Sequence, residues 1–115
     1  MTEIMIDVAK EFSTYPSGRV DADGDYNGTR FRERFLLPAL KAAQADGTRV
    51  IVDIDGVRTF GSSFIEEAFG GLVRTGVVTA KQLPRVLAIR CTKDHLELFR
   101  DSIERHLRAA HTKSG

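Results

Sequence analysis

The residues of this chain that are best placed to do chemistry are two neighbouring serines, Ser62 and Ser63. They follow closely on the run V-I-V-D-I-D-G-V at positions 50–57. That run predicts a buried strand, and the apolar spacing after the serines predicts a helix that begins near Ser62. A strand that delivers two hydroxyl groups to a helix N-terminus places them beside unpaired backbone N–H groups. Such a place can hold an anion, a phosphate group or a partner protein.

Ser63 has two interpretations. Glu66 follows it by three residues, a capping-box pattern in which the serine oxygen accepts the Glu66 backbone N–H and stabilises the helix by about 1 kcal/mol. The other interpretation is a phosphoacceptor or partner contact at either serine, because a phosphate suits the positive end of the helix dipole. Glu66 and Glu67 would repel that phosphate, whereas Arg58 is near enough in sequence to offset them. The sequence leaves both interpretations open.

Asp53 and Asp55 suggest a different chemistry. The segment D-I-D-G-V after an apolar strand is similar to the nucleophile motif of haloacid-dehalogenase-type phosphatases, in which the first aspartate attacks phosphorus and the second acts as acid and base. Such enzymes also need a positioned lysine and a further acidic pair for magnesium, and Asp94 stands alone. We therefore expect a turn at Asp55 and a structural role for Asp53. A small phosphatase-like enzyme, or an anion or ligand binder, is the alternative.

Size and composition exclude several classes of protein. The 115 residues, 42% of them hydrophobic, predict one globular domain over residues 1–115. Seventeen basic and sixteen acidic residues give a net charge of +1, which argues against a general nucleic-acid binder. One cysteine, Cys91, permits no internal disulfide and allows a reducing compartment. No membrane-spanning run and no signal-peptide pattern is visible, so we expect a cytoplasmic protein.

No metal site or cofactor is expected from the sequence. The three histidines, His95, His106 and His111, lie on or beyond the last predicted helix. The last two are five residues apart, which does not match the four-residue spacing of helical metal ligands. No phosphate-binding glycine loop is present either.

Strand and helix patterns alternate along the chain and predict a sheet with parallel pairs under helical cover. Strands are predicted at 4–8, 49–54 and 85–91, and a short strand around Arg19 and Val20 is a further candidate. Segment 50–54, apolar apart from Asp53, and the apolar segment 86–89 are expected to be central strands. Helices are predicted at 28–45, from 62 onwards and at 93–110.

Two helices contain residues that disfavour helix formation. Pro38 removes one backbone hydrogen bond from the first predicted helix and should kink it. Gly70 and Gly71 are poor helix formers within the second. They are expected either to allow close packing on the sheet or to mark the beginning of the helix end.

Four blocks of sequence resemble a STAS-like family of unknown function, related to the STAS domains of sulphate transporters and bacterial anti-sigma-factor antagonists. The blocks are G-R-V from Gly18, F-R-E-R-F-L-L-P-A-L from Phe31, I-V-D-I-D-G-V from Ile51 and F-G-S-S-F-I-E-E-A-F-G-G-L from Phe60. The resemblance covers nearly the whole chain. It implies an α/β fold of the STAS-like type, with a mixed sheet covered by about three helices.

The same resemblance implies a site. In antagonists of this type the strand-to-helix turn carries Asp-Ser-Ser-Gly, and a serine there is phosphorylated by the partner kinase that the unmodified form binds. Ser62 and Ser63 match the serine pair, and Ser63 matches the usual acceptor. Gly61 stands in the place of the aspartate and Phe64 in the place of the glycine.

We therefore expect a non-enzymatic regulatory module that binds a protein partner, in the manner of a kinase of the anti-sigma type. The predicted contact surface contains Gly61, Ser62, Ser63, Phe64 and Arg58. The partner's identity and the oligomeric state do not follow from the sequence.

Overall fold

Three short strands form one sheet in the part of the chain that the structure describes. The structure is a computed structural model, which describes residues 3–76, 78–79 and 81–114, with side chains as far as Arg108. The strands are β1 (Ile4–Asp7), β2 (Val50–Asp53) and β3 (Leu87–Arg90), in the order β1-β2-β3. Both pairs are parallel, and Val50 of the middle strand lies between Ile4 and Leu87.

Five helices cover the sheet in the described part of the chain. They are α1 (Val8–Glu11), α2 (residues 28–46), α3 (residues 62–74), α4 (Leu83–Val86) and α5 (Glu97–Ser114). The α/β, STAS-like prediction with parallel pairs is confirmed. The number of helices exceeds the predicted three because α1 and α4 are single turns of four residues, too short for helical periodicity to reveal.

The candidate strand at Arg19 and Val20 is wrong. These residues lead into a 3₁₀ turn at Asp21–Asp23, and Val20 is exposed. The backbone N–H groups of Arg19 and Val20 donate hydrogen bonds to the Asp23 carboxylate over 3.0 and 3.3 Å. The Asp23 side chain therefore accepts the backbone hydrogen bonds that a neighbouring strand would accept if these residues belonged to a sheet.

The prediction of a central strand at 86–89 is also wrong, whereas that for 50–54 holds. Within the described sheet β3 has a neighbour on one side only, and of its four residues Leu87 alone is buried. Val86 ends helix α4 and does not belong to the strand. A short apolar run does not distinguish a central strand from an edge strand that follows a helical turn.

Pro38 disturbs helix α2 without ending it. A π-helical segment, Arg32–Leu36, comes just before the proline, and the Leu37 N–H donates to the Arg32 carbonyl five residues back. This wider turn accommodates a residue that has no N–H of its own. The helix then continues to Asp46 and ends at Gly47, whose φ of 68° is left-handed.

Helix α3 lies against both long neighbours, α2 and α5, and so is held in the middle of the helical layer. Its buried side chains join those of β2 in one apolar core, in which Val50, Val52 and Phe64 are fully buried. Gly28 of α2 makes the approach close, because a Cβ there would lie 2.8 Å from the Phe64 carbonyl oxygen. The element that carries the serine pair is thus rigidly positioned.

Candidate functional site

The serine pair occupies the first turn of α3. Gly61 is the N-cap residue, with φ −72° and ψ 139°, and has no side chain to accept a backbone hydrogen bond. The first helical bond runs from the Ile65 N–H to the Gly61 carbonyl over 3.2 Å. The N–H groups of Ser62, Ser63 and Phe64 therefore precede the helical ladder. Ser62 is exposed and Ser63 is half-buried.

The predicted capping box at Ser63 and Glu66 is wrong. The helix begins one residue before Ser63, so that Phe64 and not Glu66 occupies the third position after the N-cap. Neither serine hydroxyl makes a hydrogen bond with the described residues, and Glu66 reaches Arg19 and Arg74 instead. Both hydroxyl groups are left unused by the local structure.

The two glutamates of α3 are held by arginines from three places in the chain. Arg74 donates to Glu66 over 2.6 Å, and Arg19 contacts the same carboxylate. Hydrogen bonding from Arg74 first, and from Arg19 as well, lowers the pKa of Glu66 from 4.5 to about 2 despite partial burial. Arg32, buried in α2, donates to Glu67 over 3.0 Å. Much of the repulsion that these glutamates would exert on an added phosphate is therefore compensated.

This ion-pair network predicts a specific loss of stability in acid. Because the pKa of Glu66 is about 2 in the folded state and near 4.5 when unfolded, its contribution is present above pH 4.5 and is lost as the pH falls towards 2. Both arginine side chains are more than 40% exposed, so we expect solvent to limit the loss between pH 7 and pH 3 to on the order of 1 kcal/mol.

Urea unfolding at pH 7 and pH 3 measures this effect. Glu66→Gln should remove that part of the pH dependence, whereas Glu33→Gln, at an exposed position without an ion pair in the described structure, should leave it intact. Equal pH dependence in the parent and in Glu66→Gln would contradict the assignment.

Arg32 was not identified as part of this site by sequence. In the sequence it appears as one of three alternating arginines, Arg30, Arg32 and Arg34, which are typical of a solvated surface. In the structure it is 8% exposed, and its guanidinium lies over Gly71 and donates to the Glu67 carbonyl. Gly71 therefore allows close packing against α2 rather than against the sheet, and the helix continues past it to Arg74.

A second segment, 14–17, lies beside residues 58–63, which we name the serine turn. The Arg58 N–H donates to the Thr14 carbonyl and the Gly61 N–H to the Pro16 carbonyl, each over 2.9 Å. A Cβ on residue 61 would lie 3.1 Å from the Ser17 hydroxyl oxygen, so an aspartate in this place would be crowded. This contact gives a physical reason for the glycine. It also brings Tyr15, which is 56% exposed, to the same part of the surface.

The five predicted contact residues do not all reach the surface. Arg58 is exposed and makes no ion pair with the described residues, and Ser62 is exposed beside the half-buried Ser63 and Gly61. Phe64 is fully buried and packs against other aromatic rings, with centroids 5.7 Å away at Phe31 and 5.9 Å away at Phe60. The prediction that Phe64 contacts a partner is therefore wrong, because its ring fills the core.

Asp53 and Asp55 hold the ends of two strands together. Asp55 accepts the Thr92 backbone N–H over 2.6 Å and the Thr92 hydroxyl over 2.7 Å. Partial burial acts to raise the pKa of Asp55, but the Thr92 and Lys93 hydrogen bonds together lower it. Asp53 accepts the Asp55 backbone N–H over 2.9 Å, which forms the predicted turn. These contacts give both carboxylates a structural use.

Other features of the described residues bear on what the site can hold. No cluster of three or more histidine, cysteine, aspartate or glutamate side chains suited to a metal ion occurs among them. None of the helices, over the part of the chain that is described, has the length and apolar character needed to cross a bilayer. Cys91 is half-buried, and desolvation raises the pKa of its thiol.

Comparison with known proteins gives a family but no characterised relative. No curated protein matches the chain, and no solved structure matches it. A sequence profile described as a STAS-like domain of unknown function matches residues 27–94, which is more than half of the chain and includes β2, the serine turn, α3 and β3. The chain belongs to this STAS-like family of unknown function.

Proposed function

We propose that this protein is a non-enzymatic, cytoplasmic interaction module whose partner contacts the surface around the serine turn. We name this surface the serine face and define it as Tyr15, Arg58, Gly61, Ser62 and Ser63. The partner would be a regulatory protein, of the kind represented by anti-sigma kinases. Phosphorylation of Ser62 or Ser63 would control the contact.

One observation carries the proposal: two serine hydroxyls that make no hydrogen bond with any described residue stand at a helix N-terminus without a side-chain cap. The helix that carries them is anchored by the fully buried Phe64 and by the Arg32–Glu67 pair. A hydroxyl at that place is accessible to a modifying enzyme, and its phosphorylation breaks no hydrogen bond with the described residues. Tyrosine and arginine, the side-chain types that dominate binding energy at protein interfaces, flank it as Tyr15 and Arg58.

The charge of a phosphate group is what would allow phosphorylation to control the contact with the partner. A phosphate at the first turn of α3 adds about −1.5 to −2 charges and is stabilised by the helix dipole. The added charge would enter the contact with the partner while the fold remains intact. A modification that leaves the fold stable but changes the contact surface is what a reversible switch requires.

The serine variants should separate stability from binding. Because Ser63 accepts no capping bond, Ser63→Ala should change the free energy of unfolding by less than about 0.5 kcal/mol. Ser63→Asp places a negative charge near the positive helix end and should retain or slightly raise stability, by about 0.3–1 kcal/mol. Urea unfolding measures both changes.

The binding part of the prediction uses the same variants. Tagged parent protein, Ser63→Asp and Ser62→Asp are compared by quantitative affinity capture from native cells, with phosphosite mapping of the captured protein. Gln44→Asp is the matched control, because it adds the same charge at an exposed position of α2. We expect a partner that the parent and Gln44→Asp retain and that both serine-to-aspartate variants lose.

Two results would contradict the proposal. One is an identical set of captured proteins for all four forms, with no phosphoserine at position 62 or 63. The other is magnesium-dependent phosphatase turnover that Asp53→Asn abolishes, which would establish the enzyme alternative.

A further inference from the structure

A groove runs along the free side of β3, away from the residues of the serine face. It has a volume of about 510 Å³ and lies between the strand, helix α4 and helix α5. Its apolar lining includes Leu83, Leu87, Ile89 and Leu107, and Glu104 and Arg108 border it. A space of this size accommodates several apolar side chains of a bound segment.

The strand beside the groove presents backbone groups that the described sheet does not use. The Arg90 carbonyl accepts from Ile54 on the β2 side, so the polar groups of Arg90 point towards β2. Successive residues of a strand direct these groups to opposite sides, and those of Leu87 and Ile89 therefore point away from β2. The Leu87 N–H already donates to the Leu83 carbonyl. The Ile89 N–H and the carbonyls of Leu87 and Ile89 are thus available to another strand.

The charge along this edge has one sign. Residues 81–93, which contain α4 and β3, include four basic residues and no acidic one, although the whole chain carries a net charge of only +1. Lys81 and Arg85 are exposed and make no ion pair with the described residues. Arg90 lies at the end of β3 and is exposed, with its closest carboxylate oxygen, on Asp53, 3.9 Å away. A segment that binds here meets an apolar groove beside a basic strand edge, with Glu104 as the one carboxylate among the described residues that line the groove.

Charge also argues against a second copy of β3 as the occupant. Two β3 strands related by a two-fold axis would run antiparallel, which brings the basic ends of both strands, with Arg85 and Arg90, towards one another. Like charges facing each other across a strand pair are destabilising. An acidic strand has the opposite effect, because each of its carboxylates faces a cation.

We propose that the edge of β3 binds an extended, acidic segment of a partner protein by strand addition, with alternate apolar side chains in the groove. The backbone hydrogen bonds to Leu87 and Ile89 align the segment. Its apolar side chains contact Leu107 and neighbouring residues of the groove, and its acidic side chains face Lys81, Arg85 and Arg90. Strand addition of this kind obtains affinity from the main chain and specificity from alternate side chains. The proposal does not depend on the serine face.

The test uses two short fluorescein-labelled peptides, one of alternating valine and glutamate and one of alternating valine and lysine. Fluorescence anisotropy measures binding to the full chain, and amide hydrogen exchange reports on Ile89. We expect the acidic peptide alone to bind, and to slow exchange at the Ile89 amide. Arg85→Glu should weaken binding about tenfold, equivalent to roughly 1.4 kcal/mol. Arg58→Glu, the matched charge reversal on the serine face, should leave it unchanged.

A backbone variant gives an independent check. Ile89→Pro removes the outward N–H and leaves the bonds to β2 in place, so it should abolish binding of the acidic peptide. If that variant does not fold, hydrogen exchange of the parent decides the question. Three results would each overturn the proposal. They are equal binding of both peptides, equal weakening of binding by Arg58→Glu and Arg85→Glu, and an Ile89 amide that exchanges at the same rate with and without the peptide. So would the absence of binding at about 1 mM peptide.

Discussion

Val52→Asp is expected to unfold the domain. Val52 is the third residue of the central strand β2, is fully buried, and lies opposite Ile6 on one side and Ile89 on the other. An aspartate there would place an unpaired carboxylate in the core, which costs several kcal/mol even when the group is protonated. Because a domain of this size is stable by only about 5–15 kcal/mol, a large part of the stability would be lost. Circular dichroism during thermal unfolding measures the result.

Met5→Asp is the matched control for this experiment. Met5 lies in the neighbouring strand β1, but its side chain is 46% exposed, so a carboxylate at position 5 stays in contact with water. We expect a loss of no more than about 1 kcal/mol, the range of strand propensities. A Val52→Asp protein that melts at the same temperature as Met5→Asp would show that β2 is not the buried centre of the sheet.

Phe64→Ala is expected to lower the free energy of unfolding by about 3–5 kcal/mol, the usual cost of removing a buried phenyl ring. The ring of Phe64 is fully buried and contacts those of Phe12, Phe31 and Phe60. The cluster joins four parts of the fold, namely the end of α1, α2, the loop before α3 and α3 itself. Urea unfolding at neutral pH gives the free energy directly.

Tyr26→Ala separates core packing from surface aromatic contact. Tyr26 also contacts Phe12, at a ring-centroid distance of 5.5 Å, but its side chain is 52% exposed. Its removal should cost about 0.5–1.5 kcal/mol, the value of an aromatic pair. If Phe64→Ala instead folded as stably as Tyr26→Ala and lost a binding partner, Phe64 would have to be regarded as part of the contact surface after all.

Variants at Val52 and Phe64 test something different from variants on the serine face. Val52 and Phe64 fix the strand and the helix between which the serine turn is held, so variants at either position test the scaffold. Variants at Ser62, Ser63 and Arg58 test the contact itself, because their side chains make no hydrogen bond or ion pair in the described structure. Loss of binding at unchanged stability is therefore interpretable only for the second group.

The sequence by itself determined the elements whose signal is local and repeated. The β-branched run at 50–54 marked the middle strand, and the apolar spacing after Ser62 marked α3, because both patterns extend over enough residues to exceed chance. The membership of the STAS-like family, carried by the F-G-S-S-F block, was also visible in the residues, and the profile match confirms it. The position of the serine pair at a helix N-terminus followed from the same patterns.

Only the tertiary structure decided which side chains the site can use. The capping box at Ser63 failed because the N-cap lies two residues earlier, at Gly61, which changes which side chain can reach it. Glu66 instead contacts Arg74 and Arg19, 8 and 47 residues away in sequence. Phe64 and Arg32 proved to be buried, and segment 14–17 proved to lie beside Gly61, through contacts between distant parts of the chain. Local periodicity does not record which helix packs against which. For this reason the sequence predicted where the site is, and the packing decided which of its residues are exposed.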